Sequence, residues 1–200
     1  MHFVSTQACV VVNGRPIMGF IFFPFHFANR TEVEHAYNIE NIRNTSPTIL
    51  TSSCLQVSWS GHGETTHHYT TVFAHNDFKE HVSSDNSKLI TVSRSSPPDL
   101  KSLIETSLKG QNENVEVTFA TYGGVGYKML TVLSEKSDAY VHSGSINRWD
   151  ICAGDAIIRA KTSGNSFIKS FSGNPISYSN SDAGLIPDGI VASLDPEFSI

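Results

Sequence analysis

The segment Trp149-Asp150-Ile151-Cys152-Ala153-Gly154-Asp155-Ala156-Ile157 constrains the fold of this 200-residue chain more than any other stretch. Its spacing predicts a helix that opens at Trp149-Asp150 and runs through Lys161, with Ala153, Ala156, Ile157 and Ala160 on one face. The turn after Asp150 is built from small side chains, so another segment can approach the helix closely. An aspartate at a helix N-terminus is favoured by the helix dipole. Held there, its carboxylate can cap its own helix or bind a hard cation through oxygen, and spacing alone leaves both roles open.

Strands and helices alternate around this helix. Phe3 to Val12 reads as a buried strand, Asn13-Gly14 as a hairpin turn, and Pro16 to Phe23 as the returning strand, ended by Pro24. Lys88 to Ser93 is a further strand. Ser96 is placed to cap a helix whose first turn takes Pro97 and Pro98, and Leu100, Leu103, Ile104 and Leu108 carry helical spacing up to Gly110. Val115 to Ala120 and Ala139 to His142 read as strands, with a turn at Gly123 to Gly126 and a short helix from Tyr127 to Leu133 between them. Ser166 to Ser193 reads as short strands. The alternation predicts an α/β or α+β fold.

Residues 28–87 break this pattern. They are polar, rich in Thr, Ser, Asn and His, and carry only brief strand-like patches such as Tyr69 to Ala74. A structureless stretch of that length is uncommon in a compact domain. The chain therefore divides into a hairpin at 1–27, an insert at 28–87 that is disordered or a gene-model artefact, and an α/β unit at 88–200. Val4 to Val12 opens on a core strand with no lead-in, which predicts further sequence upstream of Met1.

A net charge of -5 and a pI near 5.9, with no lysine- or arginine-rich run, argue against nucleic acid as a partner. No apolar run reaches the roughly 18 residues of a membrane helix. The three cysteines, Cys9, Cys54 and Cys152, are widely spaced and form no CxxC pair, so they read as small buried side chains rather than a zinc ribbon or a disulfide framework. His62, His67, His68, His75 and His81 are irregularly spaced and read as exposed loop residues, and His142 as structural. Asn29-Arg30-Thr31 and Asn44-Thr45-Ser46 are glycosylation sequons.

Two further segments carry chemistry. Gly123-Gly124-Val125-Gly126-Tyr127-Lys128 can offer backbone N–H groups to an anion at a helix start, with a lysine one turn in, although most Gly-Gly pairs are plain turns. Val92-Ser93-Arg94-Ser95-Ser96 lies where a strand runs into a helix, a position suited equally to a ligand and to a capped helix start.

The Trp149 to Ile157 segment resembles the WDxCAGxAI signature of the inositol-monophosphatase-like superfamily. The GGxGYK segment, Gly123 to Lys128, is similar to that of its Golgi nucleotide phosphatases, which act on 3'-phosphoadenosine 5'-phosphate. Phe3 to Pro16 looks like the strand that follows the family's DPxD(A/S)T motif. The resemblance covers residues 2–26 and 88–194 and implies the C-terminal half of a layered αβαβα sandwich, that of the lithium-sensitive phosphomonoesterases, with a poorly ordered insert.

The resemblance also implies function. Asp150 takes the position of a magnesium ligand, and Ser93, Ser96, Gly124 and Lys128 those of substrate contacts; Ser96 replaces the family's histidine. Most metal ligands, and the catalytic residues, would lie upstream of Met1. The implied activity is Mg2+-dependent hydrolysis of a small phosphate ester, the 3'-phosphate of a nucleotide bisphosphate in first place and inositol phosphate as the alternative. A fragment of this length is expected to be inactive, or to be a non-catalytic isoform that binds nucleotide or a partner. A Golgi location, a membrane anchor outside this chain and a homodimer are further expectations of the resemblance.

Overall fold

The computed structural model describes residues 4–23, 55–60, 67–72, 83–162, 164–179 and 184–200. Strands β1 (Thr6–Val12) and β2 (Arg15–Phe22) form an antiparallel hairpin in which Val12 faces Arg15 across a two-residue turn. Asn13 and Gly14 both take positive φ, 51° and 74°, the backbone that such a turn demands and that Asn and Gly adopt most readily.

Strands β3 (Leu55–Ser60) and β4 (His67–Val72) continue this sheet in the order β1-β2-β3-β4, with Met18 facing Trp59 and Trp59 facing His68. Both strands fall inside the stretch read as an insert. Cys54, His62, His75, His81 and both sequons lie outside the described residues.

The second sheet is mixed, in the order β6-β5-β7-β11-β9. It comprises β5 (Ser87–Ser93), β6 (Glu116–Tyr122), β7 (Ala139–His142), β9 (Ile168–Ser170) and β11 (Ile190–Ser193). Strand β5 runs parallel to both β6 and β7, whereas β11 is antiparallel to β7 and β9. A two-residue pair, β8 (Ile146–Asn147) with β10 (Leu185–Ile186), stands apart.

Among the described residues three helices complete the architecture: α1 (Leu100–Gln111), α2 (Val125–Leu133) and α3 (Arg148–Lys161). Period-2 alternation on the central strands explains how they stack. Ile90 and Val92 of β5, with Ala139 and Val141 of β7, pack against Leu100, Ile104 and Leu108 of α1. Tyr140 faces the other way, into a core shared with Ile21, Phe23, Met129, Leu130, Ile151 and Ile157. Helices α2 and α3 therefore lie between the two sheets, and the order of layers is sheet, helix pair, sheet, helix. This is an α/β sandwich of the kind the sequence predicts. Because α3 is covered on both sides, every residue from Ile151 to Ile158 is buried, not only the alanine face.

Several sequence expectations need correction. Strand β1 is not a buried core strand: Thr6, Ala8, Val10 and Val11 are exposed, because only the face that carries Gln7 and Cys9 turns toward α3. Asp99 rather than Ser96 occupies the N-cap position of α1, without a side-chain capping bond, since Pro97 and Pro98 belong to the connecting turn in which the Ser96 amide donates to the Ser93 carbonyl at 3.1 Å. The Ser96 hydroxyl is buried without a partner among the described residues. Helix α3 starts at Arg148 with Asn147 as its cap, because β8 delivers the chain directly into it. Asp150 thus sits in the first turn and is not the cap. Cys9 and Cys152 are not separate buried thiols: they form a disulfide, with Cα atoms 5.9 Å apart, between the hairpin and α3.

Candidate functional site

The parallel strands β5 and β7 end at Ser93 and His142, and the N-termini of α2 and α3 point toward the same end of the sheet. Carboxyl ends of parallel strands beside helix N-termini are where α/β folds hold ligands, since backbone N–H groups and the positive ends of helix dipoles converge there.

Each candidate residue is held by local structure. Ser93 is buried at the last position of β5, and its Oγ lies 3.3 Å from His142 Nδ1 on the neighbouring strand. Gly124 is the cap of α2 with φ 68° and ψ 132°, a backbone that L side chains rarely adopt. One turn on, Lys128 is buried at 3% exposure with its Nζ 5.0 Å from the centre of the Tyr140 ring. Asp150 lies in the first turn of α3, where the dipole favours a carboxylate.

Packing fixes these elements against one another. Buried hydroxyls clamp α2 to the sheet: Thr131 Oγ1 meets Thr91 Oγ1 at 3.1 Å and Ser137 Oγ at 2.9 Å, and donates to the Lys128 carbonyl at 2.7 Å. On the other side, β2 crosses α3 so closely that a Cβ on Gly19 would stand 2.3 Å from the Ala153 carbonyl oxygen. Only glycine fits there, which is why the small residues of α3 matter. Within α3, the fully buried Asp155 accepts from Arg159 Nε at 3.1 Å and from the Ser166 hydroxyl at 2.6 Å. Burial raises the Asp155 pKa against the pull of Arg159, so this carboxylate has a structural role in tying α3 to the following segment.

A cavity of about 480 Å³ opens at this end of the molecule, lined among others by Ser5, Gln7, Arg94, Gly123, Gly124 and Asp150. The residues just before β1 thus run into the same cavity as the α2 and α3 N-termini. Ser93 and Lys128 cluster beside it with Tyr140 and His142. Ser96 does not line it. Sequence reasoning singled out neither Gln7 nor Tyr140, and it took His142 for a structural residue. None of the three lies in a motif with local spacing.

Burial shifts the titration of the groups clustered beside the cavity. Desolvation lowers the Lys128 pKa from 10.5 to about 8. It also lowers the His142 pKa, with Lys128 adding to the effect while the Ser145 backbone and Asp150 oppose it. Burial raises the Tyr140 pKa well above the ordinary tyrosine value; Asp150 adds to this, and the Ser93 hydroxyl opposes it. A second cavity, of about 450 Å³, lies at the far end of the sheet beside Lys88, Glu135, Asp138 and Lys161. Three of its charges are engaged within the protein: Lys161 pairs with Glu135, and Asp138 accepts from the Leu89 amide at 2.6 Å.

Asp150 brings an oxygen donor suited to a hard cation, but a lone carboxylate does not make a magnesium site. Among the described residues no group of three or more His, Cys, Asp or Glu side chains is placed to hold a metal ion. These residues therefore do not fit a magnesium ion by themselves.

Comparison with known proteins agrees with this architecture. The inositol monophosphatase family matches the chain over residues 2–164. The human protein named Golgi-resident adenosine 3',5'-bisphosphate 3'-phosphatase is 29% identical over 199 residues, covering 96% of this chain. The chain spans only 42% of that relative's length. CysQ from Bacteroides thetaiotaomicron superposes with a TM-score of 0.57 at 20% identity, over 97% of this chain and 64% of its own. A staphylococcal structure, inositol monophosphate bound SaIMPase-II, gives 0.58 at 13% identity, over 96% and 58%. At those identities the two structures speak to the fold alone. With the family matched over most of its length, this chain belongs to the inositol monophosphatase family.

Proposed function

We propose that this chain forms the substrate-holding side of a magnesium-dependent phosphomonoesterase that removes the 3'-phosphate of 3'-phosphoadenosine 5'-phosphate to leave AMP, and that the chain by itself turns over little or no substrate. One observation carries the reading. The Lys128 ammonium is buried against the face of Tyr140 and, among the described residues, has no ion-pair partner. A buried cation lacking an anion costs free energy that a bound phosphate would relieve.

Gly124 supports the same reading, because its N-cap position directs the backbone amides of α2 toward an anion. Ser93 would orient the ester, and Asp150 would contribute one ligand to a metal site completed by residues other than those described. This chain's residues hold and orient the ester. Ser96, buried in its turn, is the weakest of the proposed contacts.

The relative's name points to the Golgi. The Cys9–Cys152 disulfide supports a lumenal location for this chain, since disulfides persist in oxidising compartments. No described helix is long and apolar enough to cross a membrane. An inositol phosphate is the second substrate reading, favoured by the inositol monophosphate held by the staphylococcal neighbour.

The test is phosphate release from adenosine 3',5'-bisphosphate and from inositol 1-phosphate, with magnesium and with added lithium. It compares this chain, the full-length protein and Asp150→Asn in each. The expected result is turnover of the bisphosphate by the full-length protein alone, inhibited by lithium and lost in Asp150→Asn. Hydrolysis of inositol 1-phosphate but not the bisphosphate would overturn the substrate, and lithium-sensitive turnover by the isolated chain would overturn its inactivity.

A further inference from the structure

Gln7 occupies a telling place in the cavity that holds Gly124 and Asp150. Its Oε1 is buried and accepts no hydrogen bond among the described residues. Buried acceptors left unpaired are costly, and proteins retain them chiefly where something other than the protein's own groups completes them. An apolar side chain of the same length would fill the position more cheaply.

Position is fixed as well as chemistry. Gln7 and Cys9 lie two residues apart on β1 and so share a face. Cys9 is bonded to Cys152, and Asp150 stands two residues before Cys152 on α3. The disulfide thus holds the Gln7 side of the hairpin against the N-terminal turn that carries Asp150. Gln7 also pairs with Ile21 across the hairpin, so its strand cannot slide. Its terminal torsion is the soft coordinate by which the carboxamide can reorient.

We infer that Gln7 is a specificity-determining residue of this site: its carboxamide oxygen accepts a hydrogen bond from a hydroxyl or amino group on the non-phosphate part of the substrate. The amides at Gly124 and the Lys128 cluster receive the anion, and Gln7 reads what the anion is attached to. Bare phosphate, held only by the anion-binding groups, would not use Gln7. This inference rests on the phosphate-ester reading above.

The experiment measures two quantities on this chain and on Gln7→Leu. The first is affinity, by calorimetry with magnesium, for adenosine 3',5'-bisphosphate, inositol 1-phosphate and inorganic phosphate. The second is the urea midpoint of the ligand-free chain. Gln7→Leu is expected to weaken binding of at least one ester by about tenfold, the size of one buried hydrogen bond, while leaving inorganic phosphate within about twofold. The same substitution is expected to raise the ligand-free midpoint, because it removes an unpaired acceptor.

Opposite signs on stability and ester binding are the signature, and a glutamine with a structural role would show a fall in both. Unchanged ester affinity, or a lowered ligand-free midpoint, overturns the inference and leaves the phosphate-ester reading intact. Failure of the wild-type chain to bind any of the three probes overturns both. Gln7→Met, unbranched and of similar length, provides the same comparison if Gln7→Leu does not fold.

Discussion

Cys9 on the first strand and Cys152 on the third helix are joined across 143 residues of sequence, so a single covalent bond ties the hairpin sheet to the helix that carries Asp150. The link spans the interface at which Gly19 meets Ala153 and borders the cavity that takes Gln7, Gly124 and Asp150.

Closing so long a loop restricts the unfolded chain strongly. Reduction, or Cys9→Ser, should lower stability by about 2–5 kcal/mol. Thermal unfolding with and without dithiothreitol measures this, and mass spectrometry of a non-reduced digest should show the two cysteine peptides linked. Free thiols at both positions in protein prepared under oxidising conditions would refute the pairing.

Lys128 should make stability rise with pH. Its folded pKa of about 8 lies below the ordinary 10.5. Below pH 8 both states carry the charge and the burial cost is full. Between 8 and 10.5 the folded chain sheds its proton before the unfolded chain does. Stability should therefore climb through that window by about 3 kcal/mol at most. Urea midpoints at pH 7.5 and 10 should differ less in Lys128→Met than in wild type. A bound phosphate should restore the proton, so binding at pH 8.5 should take up protons, seen as a dependence of calorimetric heat on buffer.

His142 should titrate below the ordinary 6.5, because burial is the largest influence on it and Lys128 adds to the effect. NMR titration of its ring in the ligand-free chain checks the direction. Lys128→Met should move the pKa upward by removing a nearby positive charge. A downward movement, or none, would mean that the two side chains do not sense each other.

Gly19→Ala should be among the most damaging single-atom changes, since the new methyl meets a backbone carbonyl rather than a side chain that could turn away. A loss of about 1–3 kcal/mol is expected, toward the upper end. Gly110→Ala, where a Cβ would meet nothing within 4 Å, is the control. As Gly110 lies within α1, alanine there should be neutral or stabilising by up to about 1 kcal/mol.

Much of the fold could be read from the sequence because its signals are local. Asn13-Gly14 specifies a hairpin through the positive φ that both residues accept. The apolar spacing of Leu100, Leu103, Ile104 and Leu108 specifies a helix, and Leu100, Ile104 and Leu108 form its buried face while Leu103 is exposed. Helix α3 is found where its small-residue pattern places it, displaced by one residue at its start. Ser96 misled because a good capping residue before two prolines looks the same whether the prolines enter the helix or form the turn ahead of it.

What remained hidden was non-local. Nothing within several residues of Cys9 distinguishes a partnered thiol from a free one, and its partner lies 143 positions away. The cavity wall at Gln7 has no motif, since its meaning comes from Asp150 and Gly124 arriving from two other elements. Lys128 was legible as a lysine one turn into a helix. Only the fold buries it against Tyr140 and shifts its pKa.

Sequence alone thus determined the family, the alternation of strands and helices, and the residue types at the helix N-termini, because each is written in short-range order. Tertiary structure decided which groups share a cavity, which cysteines are joined and which charges lose their water. Those properties depend on distances between segments that only packing brings together.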